Sequence, residues 1–369
     1  MLWAQTAQRV LLDLYLMVFA AGLISGWLGI RTLQPPGRLC QGTPKMIKAD
    51  GIDMAQDLAD KLVVVMGGSG FVGRHLAQEL LNRGARLRVV SRQPERAIAL
   101  KPLGNLGQVQ LLRADLTRAD GLAQVLAGAD AVVNLAGTFT GDLDAVMGRG
   151  AGALAQAATA TGVRAFVHVS AIGADAEGET RYARAKAAGE TAVLAAFPTA
   201  TIMRPSVLFG PDDQFITMFA GLSANLPVLP VFGSSAKLQP LFVDDLALAI
   251  CVALEQPAAH GGKTFELGGP EVVSMGELNR RVAQAAGRTP LFAELPDVAS
   301  AAFATLTGWL PFAPLSRQQW KLLKAGNVTS GQLPGCPALG ITPRPMGLFL
   351  DRWLVRFHKH GRFGKQAKA

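Results

Sequence analysis

The sequence predicts an α/β protein: a doubly wound parallel sheet followed by a smaller C-terminal α/β lobe. Three observations predict it. From Leu62 onward, short apolar runs rich in β-branched residues alternate with segments of helical periodicity. The first run, Leu62–Met66, is apolar throughout, as a strand buried on both faces requires. Glycines at 67, 70 and 73 then separate that run from a helix marked by Phe71, Val72, Leu76, Leu80 and Leu81 and closed by Asn-Arg-Gly.

The glycine spacing has separable uses. One glycine allows the sharp turn off the strand, one lets a pyrophosphate approach the backbone, and one lets the helix pack on the strand. The freed N–H groups and the helix dipole then face an anion. An ordinary strand–helix turn is the plain alternative.

The elements follow in order. Ala85–Val90 reads as the second strand, with Ser91 and Arg92 at its end. In a dinucleotide fold this place faces the adenine ribose. An acidic residue there binds a 2′-hydroxyl, whereas an arginine accommodates a 2′-phosphate, so Arg92 points to NADP(H), with NAD(H) the other possibility. Val109–Arg113 is a third strand, and Asp115 after it is placed to accept from an adenine amino group. Leu122–Leu126 belongs to a helix, Ala131–Leu135 to a fourth strand, and Ala136-Gly137 lets backbone pass close to a cofactor. Leu154–Ala160 is helical and Ala165–Ser170 is the fifth strand.

Tyr182 and Lys186 lie four apart, on one helix face. An ammonium near a phenol favours the phenolate and lowers its pKa, the requirement for acid–base work near neutrality. Ser170 is placed to hydrogen-bond a substrate carbonyl. A surface Tyr–Lys pair is the alternative.

Beyond this, Pro205–Gly210 is the exit of a sixth strand, passing the nicotinamide. Pro227–Val231 and the stretch 239–245 read as strand and loop, with Asp244 or Asp245 capping a helix over Leu246–Leu254. Thr264–Leu267 is a late strand. Ser274 caps a helix over Glu277–Ala286, with Glu277 completing a capping box. His168 and His260 read as structural. Trp309, Phe312, Trp320, Phe349 and Trp353 are candidate contact residues, either for a partner or for a helical cap over the cleft.

The formal charge of +9 is carried by the ends. Residues 1–50 hold +3 and residues 344–369 hold +6, so the body between is neutral (+9 less +3 less +6). A nucleic-acid binder would carry its charge on a folded face, so that class is excluded. Basic ends suit an acidic membrane or protein surface, or are solvated tails. Cys40, Cys251 and Cys336 are far apart, which excludes a disulfide framework or zinc knuckle and fits a reducing compartment.

Residues 14–30 form a 17-residue uncharged stretch, at the short limit for a membrane span. It reads as a marginal anchor, as a membrane-surface helix, or as sequence upstream of a start at Met46 or Met54. The organisation expected is an N-terminal extension over 1–55, a nucleotide-binding domain over 56–210 with returning strands to about 270, a substrate-side lobe over 211–343 and a basic tail over 344–369.

GGSGFVG (67–73), ADL (114–116), NLAG (134–137), HVSAIGA (168–174), YARAK (182–186) and RPSVLFGPDD (204–213) run in the order of the short-chain dehydrogenase/reductase superfamily, which the chain resembles in its extended or atypical branch. From about Leu58 to Leu354 it is similar to the dehydrogenase-like accessory subunits of respiratory complex I (NADH:ubiquinone oxidoreductase) and their bacterial relatives. The resemblance implies a Rossmann domain holding an NADPH that does not turn over. It also implies complex I subunits as partners, and a peripheral place on the cytoplasmic side of a bacterial inner membrane, or the matrix side of a mitochondrial one. Carried over by position, Gly67, Gly70 and Gly73 would take the phosphates, Ser91 and Arg92 the 2′-phosphate, and Asp115 the adenine. Ala136 and Gly137 would line the pocket, and Tyr182 and Lys186 would meet the nicotinamide ribose. Ser69, Phe71, Val72, Leu116 and Pro205 complete the cofactor-binding set. Two departures bear on turnover: Met147 stands where extended members place an Asn, and Met66 where Thr or Ser usually precedes the glycine turn. The competing reading is an active reductase, epimerase or dehydratase using Tyr182, Lys186 and Ser170.

Overall fold

The computed structural model describes residues 57–298, 300–302, 317–359 and 361. The apolar stretch 14–30, the segment 303–312 with Trp309 and Phe312, and the basic residues after Lys359 lie outside the described residues.

The strands in chain order are β1 (Leu62–Met66), β2 (Arg86–Ser91), β3 (Val109–Arg113), β4 (Ala131–Asn134), β5 (Ala165–Val169), β6 (Thr201–Pro205), β7 (Leu208–Phe209), β8 (Val228–Phe232), β9 (Lys237–Leu238), β10 (Leu241–Phe242), β11 (Thr264–Leu267), β12 (Val273–Ser274) and β13 (Leu291–Leu295). Seven of them form one sheet in the order β11-β6-β5-β4-β1-β2-β3, every neighbouring pair parallel. The expected doubly wound sheet is what the chain builds. Its order reverses between β1 and β4, and a crevice outside the carboxyl ends of the strands follows from that reversal.

The helices that matter are α1 (Phe71–Asn82), α2 (Leu122–Leu126), α3 (Gly150–Ala160), α4 (Arg181–Ala196), α5 (Phe215–Asn225), α6 (Val243–Glu255), α7 (Met275–Ala285), α8 (Arg317–Ala325) and α9 (Leu350–Leu354). Alternation along β1 sends its side chains into two cores. Val63 and Val65 meet Leu76 and Leu80 of α1 and Leu246 and Ile250 of α6. Val64 and Met66 meet Leu122 and Leu126 of α2, Leu154 of α3 and Val193 of α4. All five β1 side chains are buried, each contributing about 1.5–3 kcal/mol for a Val-sized or larger group. A third core, with Phe209, Val231, Val273, Leu278, Val282 and Leu354, holds the C-terminal lobe around α5, α7 and α9. There β7 pairs parallel with β10, β13 parallel with β8, and β12 antiparallel with β9.

Several boundaries differ from the sequence reading. The helix expected from Leu154 begins at Gly150 and continues a π-helical turn over Asp144–Arg149. Its glycines look like breakers but serve close packing. A Cβ on Gly152 would stand 2.9 Å from the Ala192 Cβ, and one on Gly189 would stand 2.0 Å from the Met147 carbonyl oxygen. Neither Asp244 nor Asp245 caps α6, which starts at Val243 without a side-chain cap. Both lie in its first turn, where the dipole favours them, but each turns to another partner. Asp244 Oδ1 meets His75 Nδ1 at 2.5 Å, while Asp245 accepts from the Arg344 backbone N–H at 2.8 Å and its Nε at 2.7 Å. Ser274 does cap α7, accepting from the Glu277 N–H at 3.1 Å. The reciprocal half of the box is replaced, because the Glu277 carboxylate takes Arg281 Nε at 2.9 Å. Of the candidate contact aromatics that are described, Trp320 is buried, Phe349 stacks on Phe242 at 4.1 Å, and Trp353 lies 6.2 Å from Phe209. Phe349 and Trp353 are half-buried against the third core.

Among the described residues no helix is long and apolar enough to cross a membrane. Cys251 and Cys336 are free and buried, and burial pushes the Cys336 thiol up to about 11.

Candidate functional site

The site is built where β1, β2, β4 and β5 end. Gly67 turns the chain off β1 with φ +79°, a conformation that L side chains rarely adopt. Its N–H donates to the Val90 carbonyl at 2.8 Å, tying the turn to the end of β2. A Cβ on Gly67 would also stand 3.0 Å from the Ala136 nitrogen. Gly73 packs so closely on the turn that its Cβ would lie 2.3 Å from the Gly68 carbonyl oxygen. Gly70, the N-cap of α1, is different: its Cβ would meet only the Gly67 oxygen, at 3.5 Å. No protein contact demands glycine there, so what its missing side chain leaves is open approach to the turn. No side chain caps α1 and no acidic residue stands in its first turn. The leading N–H groups of Phe71, Val72 and Gly73 therefore have no intrahelical acceptor and stand at a positive dipole end that favours an anion. Ser69 is half-buried in the same turn.

The adenosine end lies beside it. Ser91 closes β2, buried, with its Oγ lacking a partner. Arg92 beside it is exposed. The Ser91 carbonyl accepts from the Ala114 N–H at 3.2 Å, which brings the segment after β3 alongside. Asp115 Oδ1 accepts from the Thr117 N–H at 3.0 Å and its hydroxyl at 2.9 Å. The Thr117 N–H chiefly, with Arg92 and Arg118 adding, holds the Asp115 carboxyl below the usual carboxylate range. One of its oxygens is thus committed to the turn and the other is left for a ligand.

The opposite end centres on Lys186. Its buried Nζ donates to the Val169 carbonyl at 3.0 Å, one residue before Ser170. A Cβ on Gly137 would stand 3.7 Å from that Nζ. Burial lowers the Lys186 pKa to about 8, opposed by Glu190 one turn along α4. Glu190 is itself held by Arg204 through two bonds, at 2.9 Å and 2.6 Å. Ser170 is buried and its Oγ has no partner. The Tyr182 ring centroid lies 6.0 Å from Lys186 Nζ. The expectation that this ammonium lowers the phenol's pKa is reversed, because burial pushes Tyr182 up to about 12. The ammonium is engaged by a carbonyl, and desolvation of the phenolate wins.

Val90, Gly67, Ala136, Gly137, Lys186, Val169 and Ser170 thus follow one another closely along the ends of the strands. Three of the predicted residues turn their side chains into the fold: Leu116 is buried in the core beneath α3, Pro205 is buried at the end of β6, and Phe71, whose N–H leads α1, sets its ring against His75 and towards Gly210.

The sequence reading passed over others. Asn134 Oδ1 accepts from the Ala136 N–H at 3.1 Å, and its Nδ2 meets His168 Nδ1 at 3.1 Å, so this buried pair holds the chain after β4. A polar residue ending an apolar strand was the available signal. Glu190 was legible as the i, i+4 neighbour of Lys186. Phe139, whose ring stacks on Tyr182, had no local signal.

The residues fit a dinucleotide. Two buried hydroxyls lack partners at opposite ends of the crevice, and the turn between them offers N–H groups where side chains are absent. Among the described residues no group of His, Cys, Asp or Glu could hold a metal ion.

Residues 63–268 match the model of the NAD dependent epimerase/dehydratase family, over half of the chain. The chain belongs to that family. Relatives within reach of it have divergent names. "NADH dehydrogenase [ubiquinone] 1 alpha subcomplex subunit 9, mitochondrial" of Arabidopsis thaliana is 32% identical over 316 residues, covering 81% of this chain and 79% of the relative. The protein of that name from Rattus norvegicus is 31% identical over 294 residues, covering 78% of each. "Ceramide reductase" of Caulobacter vibrioides is 32% identical over 249 residues, covering 66% of this chain and 76% of the relative. Among solved structures, dTDP-glucose 4,6-dehydratase DesIV from Streptomyces venezuelae, with NAD bound, superposes with a TM-score of 0.65 over 82% of this chain and 98% of that one. At 21% identity that likeness shows the family's fold.

Proposed function

We propose that this chain binds NADP(H) as a structural cofactor and serves as a peripheral accessory subunit or assembly factor of respiratory complex I. The observation that carries the cofactor half is the open N-terminus of α1 flanked by the unpartnered hydroxyls of Ser91 and Ser170. In the bound state Gly67, Ser69, Gly70 and the leading N–H groups of α1 would take the diphosphate. Ser91 and Arg92 would take the 2′-phosphate, Asp115 the adenine, and Lys186 the nicotinamide ribose, with Tyr182 beside it. A ligand that binds only the folded chain stabilises it, which is all a structural cofactor needs to do. The phenol raised to about 12 and the apolar Met147 beside it, in place of a polar residue, support a cofactor that is held and not turned over. The complex I half rests on the subunit 9 relatives. The place proposed is the cytoplasmic side of a bacterial inner membrane, or the matrix side in a mitochondrion, with the basic tail against acidic lipid or protein.

Affinity purification of the tagged full chain tests both halves. NADP(H) released on denaturation, with complex I subunits co-purifying, is the expected result. A chain free of nucleotide and of those subunits overturns the reading.

A second reading has its own support: Tyr182, Lys186 and Ser170 gather at one end of the crevice, and the relatives include reductases, among them "2-alkyl-3-oxoalkanoate reductase" of Stenotrophomonas maltophilia. On that reading Ser170 would donate to a substrate carbonyl and Tyr182 would give it a proton, with Lys186 holding the nicotinamide ribose of a cofactor whose chemistry would be hydride transfer. Tyr182→Phe separates the two: it abolishes carbonyl reduction on the second reading and leaves respiration unchanged on the first.

A further inference from the structure

The Phe139 ring lies on the Tyr182 ring, centroids 4.6 Å apart and planes 13° from parallel. Phe139 is 64% exposed, so the outer face of its ring lies in solvent while the inner face lies on Tyr182. The short loop that carries it is fixed at both ends. On one side Thr138 Oγ1 accepts from the Thr140 N–H at 3.1 Å and donates to the Thr140 carbonyl at 2.8 Å. On the other, Gly141 turns with φ +77° and Asp142 Oδ1 accepts from the Ala145 N–H at 3.0 Å. Beneath, Tyr182 packs on Leu143, Met147 and Ala185. The phenol is thus sandwiched between an apolar floor and an aromatic cover.

A substrate carbonyl must come up to the Tyr182 side chain to take its proton, and the Phe139 ring covers one face of that side chain. We propose that Phe139 is the residue that shuts Tyr182 to substrate, so that the site accepts a dinucleotide while excluding a carbonyl compound from the proton donor. This deepens the reading above and rests on it for the placing of Tyr182 at the nicotinamide end. It commits to a specificity role for Phe139, acting by occupying space, with no bond made or broken.

The test is nitration of the full chain by tetranitromethane, read at Tyr182 by peptide mass spectrometry, with Tyr182→Phe as the control for peptide assignment. Phe139→Ala should nitrate at Tyr182 about tenfold faster than the parent, the upper end of what one aromatic pair is worth. Phe139→Trp, which restores a flat cover, should return the rate towards the parent's. Equal rates in the parent and Phe139→Ala overturn the proposal, as does a Trp variant that reacts as fast as the Ala variant. NADPH binding measured on the same proteins keeps the two readings apart. A chain that binds no nucleotide yet protects Tyr182 defeats the cofactor reading and leaves only the shielding of Tyr182 by Phe139, whereas a chain that binds nucleotide with Tyr182 unprotected keeps the cofactor reading and defeats the shielding.

Discussion

Gly73 lies against Gly68 so closely that a Cβ on it would stand 2.3 Å from the Gly68 carbonyl oxygen. The obstacle is backbone on both sides, so no side chain can swing away. Gly73→Ala should therefore lever α1 off the turn and splay the N–H groups that face the anion. The expected outcome is a loss of about 1–3 kcal/mol in denaturant unfolding together with a loss of NADPH binding in titration calorimetry. Unchanged affinity would show that the turn does not hold the diphosphate.

The choice between NADP(H) and NAD(H) turns on Ser91 and Arg92. An exposed guanidinium contributes one charge-assisted contact, so Arg92→Ala should weaken NADPH binding by about tenfold. NADH binding should hardly change. The difference should shrink as salt is added, since the contact is at the surface. Equal effects on both nucleotides would place the 2′-phosphate elsewhere.

Two buried bases give the fold a pH dependence of known sign. Burial, with Lys186 nearby adding, lowers His168 to about 3. Unfolded, the imidazole takes its proton near pH 6.5, so between about 6.5 and 3 the unfolded chain holds more protons and stability falls as pH falls. Lys186, lowered to about 8, behaves likewise between about 10.5 and 8: its burial cost is fully present below 8 and is relieved as pH rises. His168→Gln should flatten the acid limb of the stability profile, and Lys186→Met should flatten the alkaline one. Urea midpoints across that range read both; parallel profiles for parent and variants would contradict the burial of these groups.

Asp245 is almost fully buried and holds Arg344 by its backbone and its guanidinium. Arg344 also lies over the Phe242 ring at 4.6 Å. Asp245→Ala leaves the Arg344 N–H without its acceptor, at a cost of about 1–3 kcal/mol. The segment after Arg344 packs α9 onto the third core, so its amides should lose protection in hydrogen exchange while those of β1 keep theirs.

The strands and the glycine turn were legible because their cause is local. A run such as Leu62–Met66 has no polar group to expose, and it can only be a strand buried on both faces. The bounds of Val109–Arg113 and Thr264–Leu267 also match the sequence reading, although these two edge strands carry polar residues. Glycine is required at 67 by a dihedral angle and at 73 by an adjacent backbone, and both demands sit within a few residues of the cause. Asp244 and Asp245 show where that reach ends. Position alone makes them caps, but His75 and Arg344, about 170 and 99 residues away, take their carboxylates.

By itself, then, the sequence determined the order of strands and helices in the central sheet, the glycine turn after β1 and the i, i+4 placing of Tyr182 and Lys186, because each follows from neighbours along the chain. Only the tertiary structure decided the electrostatics of that pair. Whether an ammonium lowers a phenol's pKa or burial raises it depends on what surrounds both groups. Here the Val169 carbonyl takes the ammonium and Phe139 covers the phenol, and no spacing of residues within α4 could have foretold either.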